Sequence, residues 1–180
     1  AGVSPWVAGS VVSPPWLVYE TRSPAAGGTP VQGRGNRDTC DLDIDGIAAA
    51  TTERTRAIII NSPNNPTGRI YPVETLRALA DVLTRASQRH GRPIAILSDE
   101  AYSRIVFDGH TFVSPSAVYP HTFVIYTYTK TLLIPGERIA YIALAPYMPE
   151  RDTWLSVLFM AQIVTGFAFP NAVLQYALPD

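Results

Sequence analysis

The sequence is short of cysteine, of histidine and of net charge. It has one Cys, Cys40, three His, and 14 basic against 15 acidic residues, a balance of −1 at pH 7. Each shortage excludes something. A single thiol cannot build an intrachain disulfide and suits a reducing compartment, so the cytoplasm is the expected location. Balanced charge leaves no electrostatic footprint for nucleic acid or for an acidic membrane surface. No apolar run approaches the length of a membrane span, and Ala1-Gly2-Val3-Ser4-Pro5 has neither the basic start nor the apolar core of a signal peptide. His90, His110 and His121 lie in polar contexts without ligand spacing, so no metal site is expected, and Cys40 has no partner His in any catalytic arrangement. Gly27-Gly28 and Gly33-Arg34-Gly35 are too short for a dinucleotide fingerprint.

What is present is enough chain for a core: 180 residues, 47% hydrophobic, without internal repeats or a low-complexity linker. Ser10 to Ser13 reads as a short strand closed by Pro14-Pro15, with a helix beginning near Trp16. Ala25 to Pro30 reads as a loop and Val31-Gln32-Gly33 as a brief strand. Asp43 or Asp45 can cap a helix running through Ala50, ahead of a strand from Ala57 to Asn61. Pro72 to His90 is the clearest helix, with Val73, Leu76, Leu79, Ala80 and Leu83 at helical spacing. Strands follow at Ile94 to Ser98, Thr122 to Tyr126 and Ile139 to Ala145, then a helix over Pro149 to Thr165 with a Gly166 stop, and a short helix from Pro170. Alternating strands and helices with continuous apolar strand cores predict a three-layer α/β/α fold around a mostly parallel sheet. The connection from Lys130 to Arg138 is too short for a parallel crossover. The Ile139 strand is therefore expected to run antiparallel to its neighbour.

Chemistry gathers at strand ends. Tyr126-Thr127-Tyr128-Thr129-Lys130 delivers an amine among hydroxyls at the end of a buried strand, where a lysine is seldom a solvated charge. Pro135-Gly136 turns the chain and Arg138 opens the next strand. An amine, two hydroxyls and a guanidinium at one rim suit an aldehyde cofactor that carries a phosphate. Upstream, Ile58-Ile59-Ile60-Asn61 breaks into Ser62-Pro63-Asn64-Asn65-Pro66-Thr67-Gly68, whose prolines and glycine fix the turn and so the direction of Asn65. Ser98-Asp99-Glu100-Ala101-Tyr102 places a carboxylate and a phenol three residues apart at another strand end. Glu100 beside Asp99 is not a working pair, because adjacent strand residues point to opposite faces.

In this order, Asn-Pro-Thr-Gly, Asp-x-x-Tyr and a hydroxyl-x-hydroxyl-Lys with an Arg eight residues on closely resemble the class I/II aminotransferases of the fold-type I pyridoxal-phosphate superfamily. Thr127 and Thr129 stand for the usual serines, and Ala140 where Gly is common. The resemblance implies a pyridoxal 5'-phosphate cofactor in Schiff-base linkage to Lys130. Asp99 would be a buried carboxylate facing the pyridine nitrogen, with Asn65 and Tyr102 on the phenolic oxygen. Thr127 and Arg138 would hold the phosphate, Thr129 would be at or beside it, and Trp16 would stack on the ring. It implies amino-acid and 2-oxo-acid substrates and a homodimer. It also implies that residues 1–180 are the pyridoxal-phosphate-binding large domain in part, without the small domain and both termini of the family. Such a piece is expected to turn over weakly alone. A lyase or cyclase using the same cofactor, and the aminotransferase-like sensor domain of a transcriptional regulator, remain alternatives.

Overall fold

The computed structural model describes residues 6–10, 18–25, 27–32, 35–36 and 38–178. Among these residues six strands, β1 (Trp6–Ser10), β2 (Gly28–Gln32), β3 (Thr55–Asn61), β4 (Ala95–Asp99), β5 (Thr122–Thr127) and β6 (Ala140–Leu144), form one sheet in the order β2-β1-β3-β4-β5-β6. All neighbours are parallel except β5 and β6, which run antiparallel, as the short connection requires. The helices are α1 (Val18–Ala25), α2 (Ile44–Ala50), α3 (Val73–His90), α4 (Tyr128–Thr131), α5 (Arg151–Thr165) and α6 (Ala172–Ala177).

Strand alternation divides the core between the two faces of the sheet. On one face Ile58, Ile60, Ile94 and Ile96 pack against Leu76, Leu79, Leu83 and Ala86 of α3 and Ile47 of α2. On the other, Phe123, Leu144 and Met148 pack with Ala95, Leu97 and the α5 residues Trp154 and Leu158. The apolar positions of α3 recur every three or four residues, and its end is set by Gly91 at φ +67°, a left-handed turn that suits glycine. Asp43 caps α2 by accepting from the Gly46 N–H at 2.9 Å.

Two expectations need correction. The first strand spans Trp6–Ser10, earlier than the predicted Ser10 to Ser13, whose last three residues lie outside the described ones. The second begins at Gly28, inside the predicted loop. Pro30 is tolerated there because β2 is the edge of the sheet, where a missing N–H breaks no ladder. The helix α5 forms where it was expected and buries none of its residues fully: Val157, Phe159, Met160 and Val164 are exposed. No described helix is long and apolar enough to cross a membrane.

The buried seam of α3 carries the first prediction. Leu79 is fully buried, so Leu79→Ala should lower unfolding free energy by about 2–5 kcal/mol. The exposed neighbour Arg77, changed to Ala, should move it by no more than about 0.5 kcal/mol. Urea titration of the two variants checks this.

Candidate active site

Register brings the strand ends to one rim. Asn61 pairs with Asp99, Asp99 with Ile125, and Thr127, two residues further on, with Ala140 of β6. Because β6 runs antiparallel, it starts where the parallel strands stop. Arg138, two residues before Ala140, is therefore carried to the rim that bears Asp99 and Thr127. Pairing also fixes faces: Asp99, Ile125 and Thr127 share one side of the sheet.

The turn after β3 is closed by asparagine side chains. The Asn61 amide donates to the Asp99 carbonyl at 3.0 Å and accepts from the Asn65 N–H at 2.7 Å. The Asn64 Oδ1 accepts from the Thr67 N–H and hydroxyl, at 3.2 and 2.8 Å. Gly68, at φ +72°, completes the turn by donating to the Asn64 carbonyl at 2.7 Å. Held this way, the Asn65 side chain donates to the Tyr102 hydroxyl at 3.3 Å. The Lys130 Nζ lies 5.5 Å from the centroid of the same tyrosine ring. Beside Asn65 and Tyr102 opens a cavity of about 520 Å³, walled by Pro63, Pro66, Ile105 and Val106.

Lys130 is not at the end of a buried strand, as the sequence suggested. After Thr127 the chain enters the single turn of α4, and Lys130 is exposed on it. The reason is local: the Thr127 hydroxyl accepts from the Thr129 N–H, capping the turn and ending β5. Lys130 is also the only lysine in the sequence; all the other basic residues are arginines.

Asp99 is half-buried, less enclosed than expected, and both of its oxygens are engaged. Oδ1 accepts from the Ala101 N–H at 3.1 Å and Oδ2 from the Tyr19 hydroxyl at 2.5 Å. Burial above all, and then the Asp99 charge, push the Tyr19 phenol far above its ordinary value, so it keeps its proton. Sequence reasoning missed Tyr19. It stands eighty positions from Asp99, and only the placement of α1 over the sheet joins them. Glu100 points to the opposite face, buried, accepting from Ser98 at 2.9 Å and Ser114 at 2.6 Å. Burial raises its carboxyl above the ordinary value, against the lowering effect of those two hydroxyls.

The remaining residues are more loosely gathered. Thr129 is buried, and the Thr127 hydroxyl donates to its Oγ1 at 3.0 Å. Arg138 is exposed, in a left-handed conformation at φ 52°, and donates to the Pro135 carbonyl at 3.2 Å. No hydrogen bond joins it to Thr127 or Thr129 among the described residues. Trp16 lies outside the described residues. No group of three or more His, Cys, Asp or Glu among the described residues could hold a metal ion.

This arrangement has relatives. The profile of "Aminotransferase class I and II" matches residues 10–179. The chain belongs to the class I and II aminotransferase family. It is 36% identical over 172 residues to the aspartate aminotransferase of Geobacillus stearothermophilus, covering 93% of this chain and 40% of that one. It is 37% identical over 133 residues to the aspartate/prephenate aminotransferase of Thermus thermophilus, covering 73% of this chain and 33% of the relative. The crystal structure of an amino transferase from Eubacterium rectale superimposes with a TM-score of 0.92 at 31% identity, over 97% of this chain and 44% of that one. The chain thus spans less than half the length of these relatives. The fold is that of the family: a mixed, mostly parallel sheet with helices on both sides.

Glu100 gives this family member a pH signature. Its folded value lies above the unfolded 4.5, so the folded chain holds the proton more tightly. Its contribution to stability is then greatest below about pH 4.5 and falls as pH rises through the raised folded value. Relative to Glu100→Gln, the wild type should be more stable at pH 4 than at pH 7. Urea unfolding of both chains at the two pH values measures the difference, and a wild type that gains stability relative to Glu100→Gln from pH 4 to pH 7 contradicts the sign.

Proposed function

We propose that this chain is the cofactor-binding part of an aminotransferase that uses pyridoxal 5'-phosphate to move an amino group between an amino acid and a 2-oxo acid. The observation that carries this reading is the amine of the sole lysine over the Tyr102 ring, whose hydroxyl takes the Asn65 amide, on the rim where Asp99 ends β4. The donor set fits the cofactor. A carboxylate suits a ring N–H, an amide and a phenol suit a phenolic oxygen, an amine suits a carbonyl carbon, and hydroxyls with a guanidinium suit a phosphate.

Each side chain has a definable task. Asp99 sets a negative charge toward the ring nitrogen, which favours the protonated ring. Bound there, the cofactor supplies an electron sink for the pair left on the substrate Cα when its proton departs. Asn65 and Tyr102 orient the phenolic oxygen. Lys130 would hold the cofactor's carbonyl carbon, and its exposed amine could carry a proton to and from the substrate carbon. Thr127, Thr129 and Arg138 would hold the phosphate.

We assign residues 1–180 to part of the large domain of a longer polypeptide and infer a homodimer. Apolar side chains left exposed on α5 and α6, among them Phe159, Met160, Val164, Val173 and Tyr176, support burial against more protein. One free cysteine suits a cytoplasmic setting.

The sole lysine makes the test direct. Mixed with pyridoxal 5'-phosphate, the chain should develop a band near about 330 or 420 nm, as the chemistry of the cofactor implies. Borohydride reduction and peptide mass analysis should then find the pyridoxyl group on the Lys130 peptide, and on no internal residue of Lys130→Ala. Wild-type protein that stays unlabelled at Lys130 sinks the proposal. Conversion of an amino acid that proceeds equally well without a 2-oxo acid acceptor replaces amino transfer with lyase or cyclase chemistry.

A further inference from the structure

We infer that Arg104 is a positioning residue for the Lys130 amine: set over the ring of Tyr126, it ties the turn that carries Tyr102 to the strand end that carries Lys130. The task of Lys130 rests on the cofactor reading above, whereas the place of its amine can be tested without cofactor.

Two short segments lie side by side, and each lends the other a cation. The turn after β4 holds Tyr102 and Arg104; the end of β5 and α4 hold Tyr126 and Lys130. The Lys130 Nζ lies 5.5 Å from the Tyr102 centroid, and the Arg104 Cζ lies 5.2 Å from the Tyr126 centroid. The two rings are not held alike. Tyr126 is buried on the face of the sheet away from Asp99, level with Tyr141 of β6, and its hydroxyl meets the Thr131 Oγ1 at 2.6 Å. The rings of Tyr128 and Tyr141 stand 5.2 and 5.3 Å from it. Tyr126 is thus the fixed point, and Arg104 is the side chain held to it.

Tyr102 has no such bed. Its turn is closed by its own bonds, from the Ser103 N–H to the Glu100 carbonyl at 3.0 Å and from the Ile105 N–H to the Tyr102 carbonyl at 2.8 Å. These shape the turn without fixing it against β5. Asn65 holds the hydroxyl end of the ring, and the Glu100 N–H reaches the Ile125 carbonyl at 2.9 Å where the turn begins. Further along the turn, Arg104 makes the link to β5. Its guanidinium stays charged at any working pH and is weakly hydrated, which suits a contact with a ring face. The Lys130 amine, on a flexible and exposed stem, is only as well placed as the Tyr102 ring beneath it. When that amine leaves the ring for an aldehyde, its own link is lost and the Arg104 link remains.

The sole lysine is its own reporter. Reductive methylation with isotope-labelled formaldehyde marks Lys130 and the chain's first amine, and Lys130→Ala tells the two signals apart. Nuclei above an aromatic face are shielded. The Lys130 methyl signal should therefore lie upfield of free dimethyl-lysine in the wild type and return to the free position in Tyr102→Leu. Arg104 is exposed, so Arg104→Gln leaves the core intact; it should lose most of the upfield shift. Arg77→Gln, the same charge change at an exposed position of α3, should keep it. Arg104→Gln should also bind pyridoxal 5'-phosphate about two- to fivefold more weakly, the scale of one exposed cation–π contact. A wild type without the shift, an Arg104→Gln that keeps it or binds cofactor as well as wild type, or an equal loss in Arg77→Gln overturns the inference. Methyl signals that behave as expected in a protein that pyridoxal 5'-phosphate never labels at Lys130 uphold the placement of the amine and end the cofactor reading.

Discussion

The Asn61 side chain is the fastening on which the candidate site depends. It is buried at the end of β3, and one amide serves two elements: its N–H donates to the carbonyl of Asp99 and its oxygen accepts from the backbone of Asn65. The carboxylate that ends β4 and the turn that aims Asn65 are thus referred to the same group. A buried amide in this position is expensive to disturb, since removing either bond strands a polar group away from water. Tyr102 then takes its place through Asn65, and Lys130 lies over Tyr102. A chain of contacts runs from one buried amide to the exposed amine.

Much of this was legible in the sequence because periodicity and turn chemistry are local. The seam of α3, the strands that break at Asn61 and near Asp99, and the reversal of β6 all follow from patterns within some twenty residues. What was not legible depends on position in the sheet or on distant contacts. The start of β2 looked like a loop because its proline is acceptable only at an edge, and edge status belongs to the whole sheet. Lys130 looked like the end of a buried strand because nothing in the run distinguishes a last strand residue from the first turn of a helix; the Thr127 cap decides it. Tyr19 carried no signal toward Asp99 at all.

The two adjacent carboxylates show how a sheet assigns different work to neighbours. Asp99 and Glu100 differ by one residue, and strand alternation sends them to opposite faces. Glu100 is enclosed with two serine hydroxyls, and burial raises its carboxyl toward the neutral form. Asp99 faces the rim, half-open, with neutral donors on both oxygens. Neither environment could be exchanged for the other without a one-residue slip, which would also turn Ile96 and Leu97 out of their layers.

The site is therefore built to two standards of rigidity. The end that would face a ring nitrogen and phenolic oxygen is set by strand ends, by Asn61 and by Tyr19. The end that would face a phosphate is tied by bonds within its own segment, Thr127 to Thr129, Tyr126 to Thr131 and Arg138 to the Pro135 carbonyl, and by the Thr127 hydroxyl to the Ile139 carbonyl just before the next strand. Leu133 and Arg138, both non-glycine residues at positive φ, lie within that segment, and a left-handed conformation persists in such residues only where surroundings enforce it. Ordering Arg138 against an anion means giving up its bond to Pro135 and fixing a long exposed side chain, which subtracts from the affinity gained. On the proposed reading, the groups that would meet the ring are already held in place, whereas Arg138 would have to be reoriented to meet a phosphate.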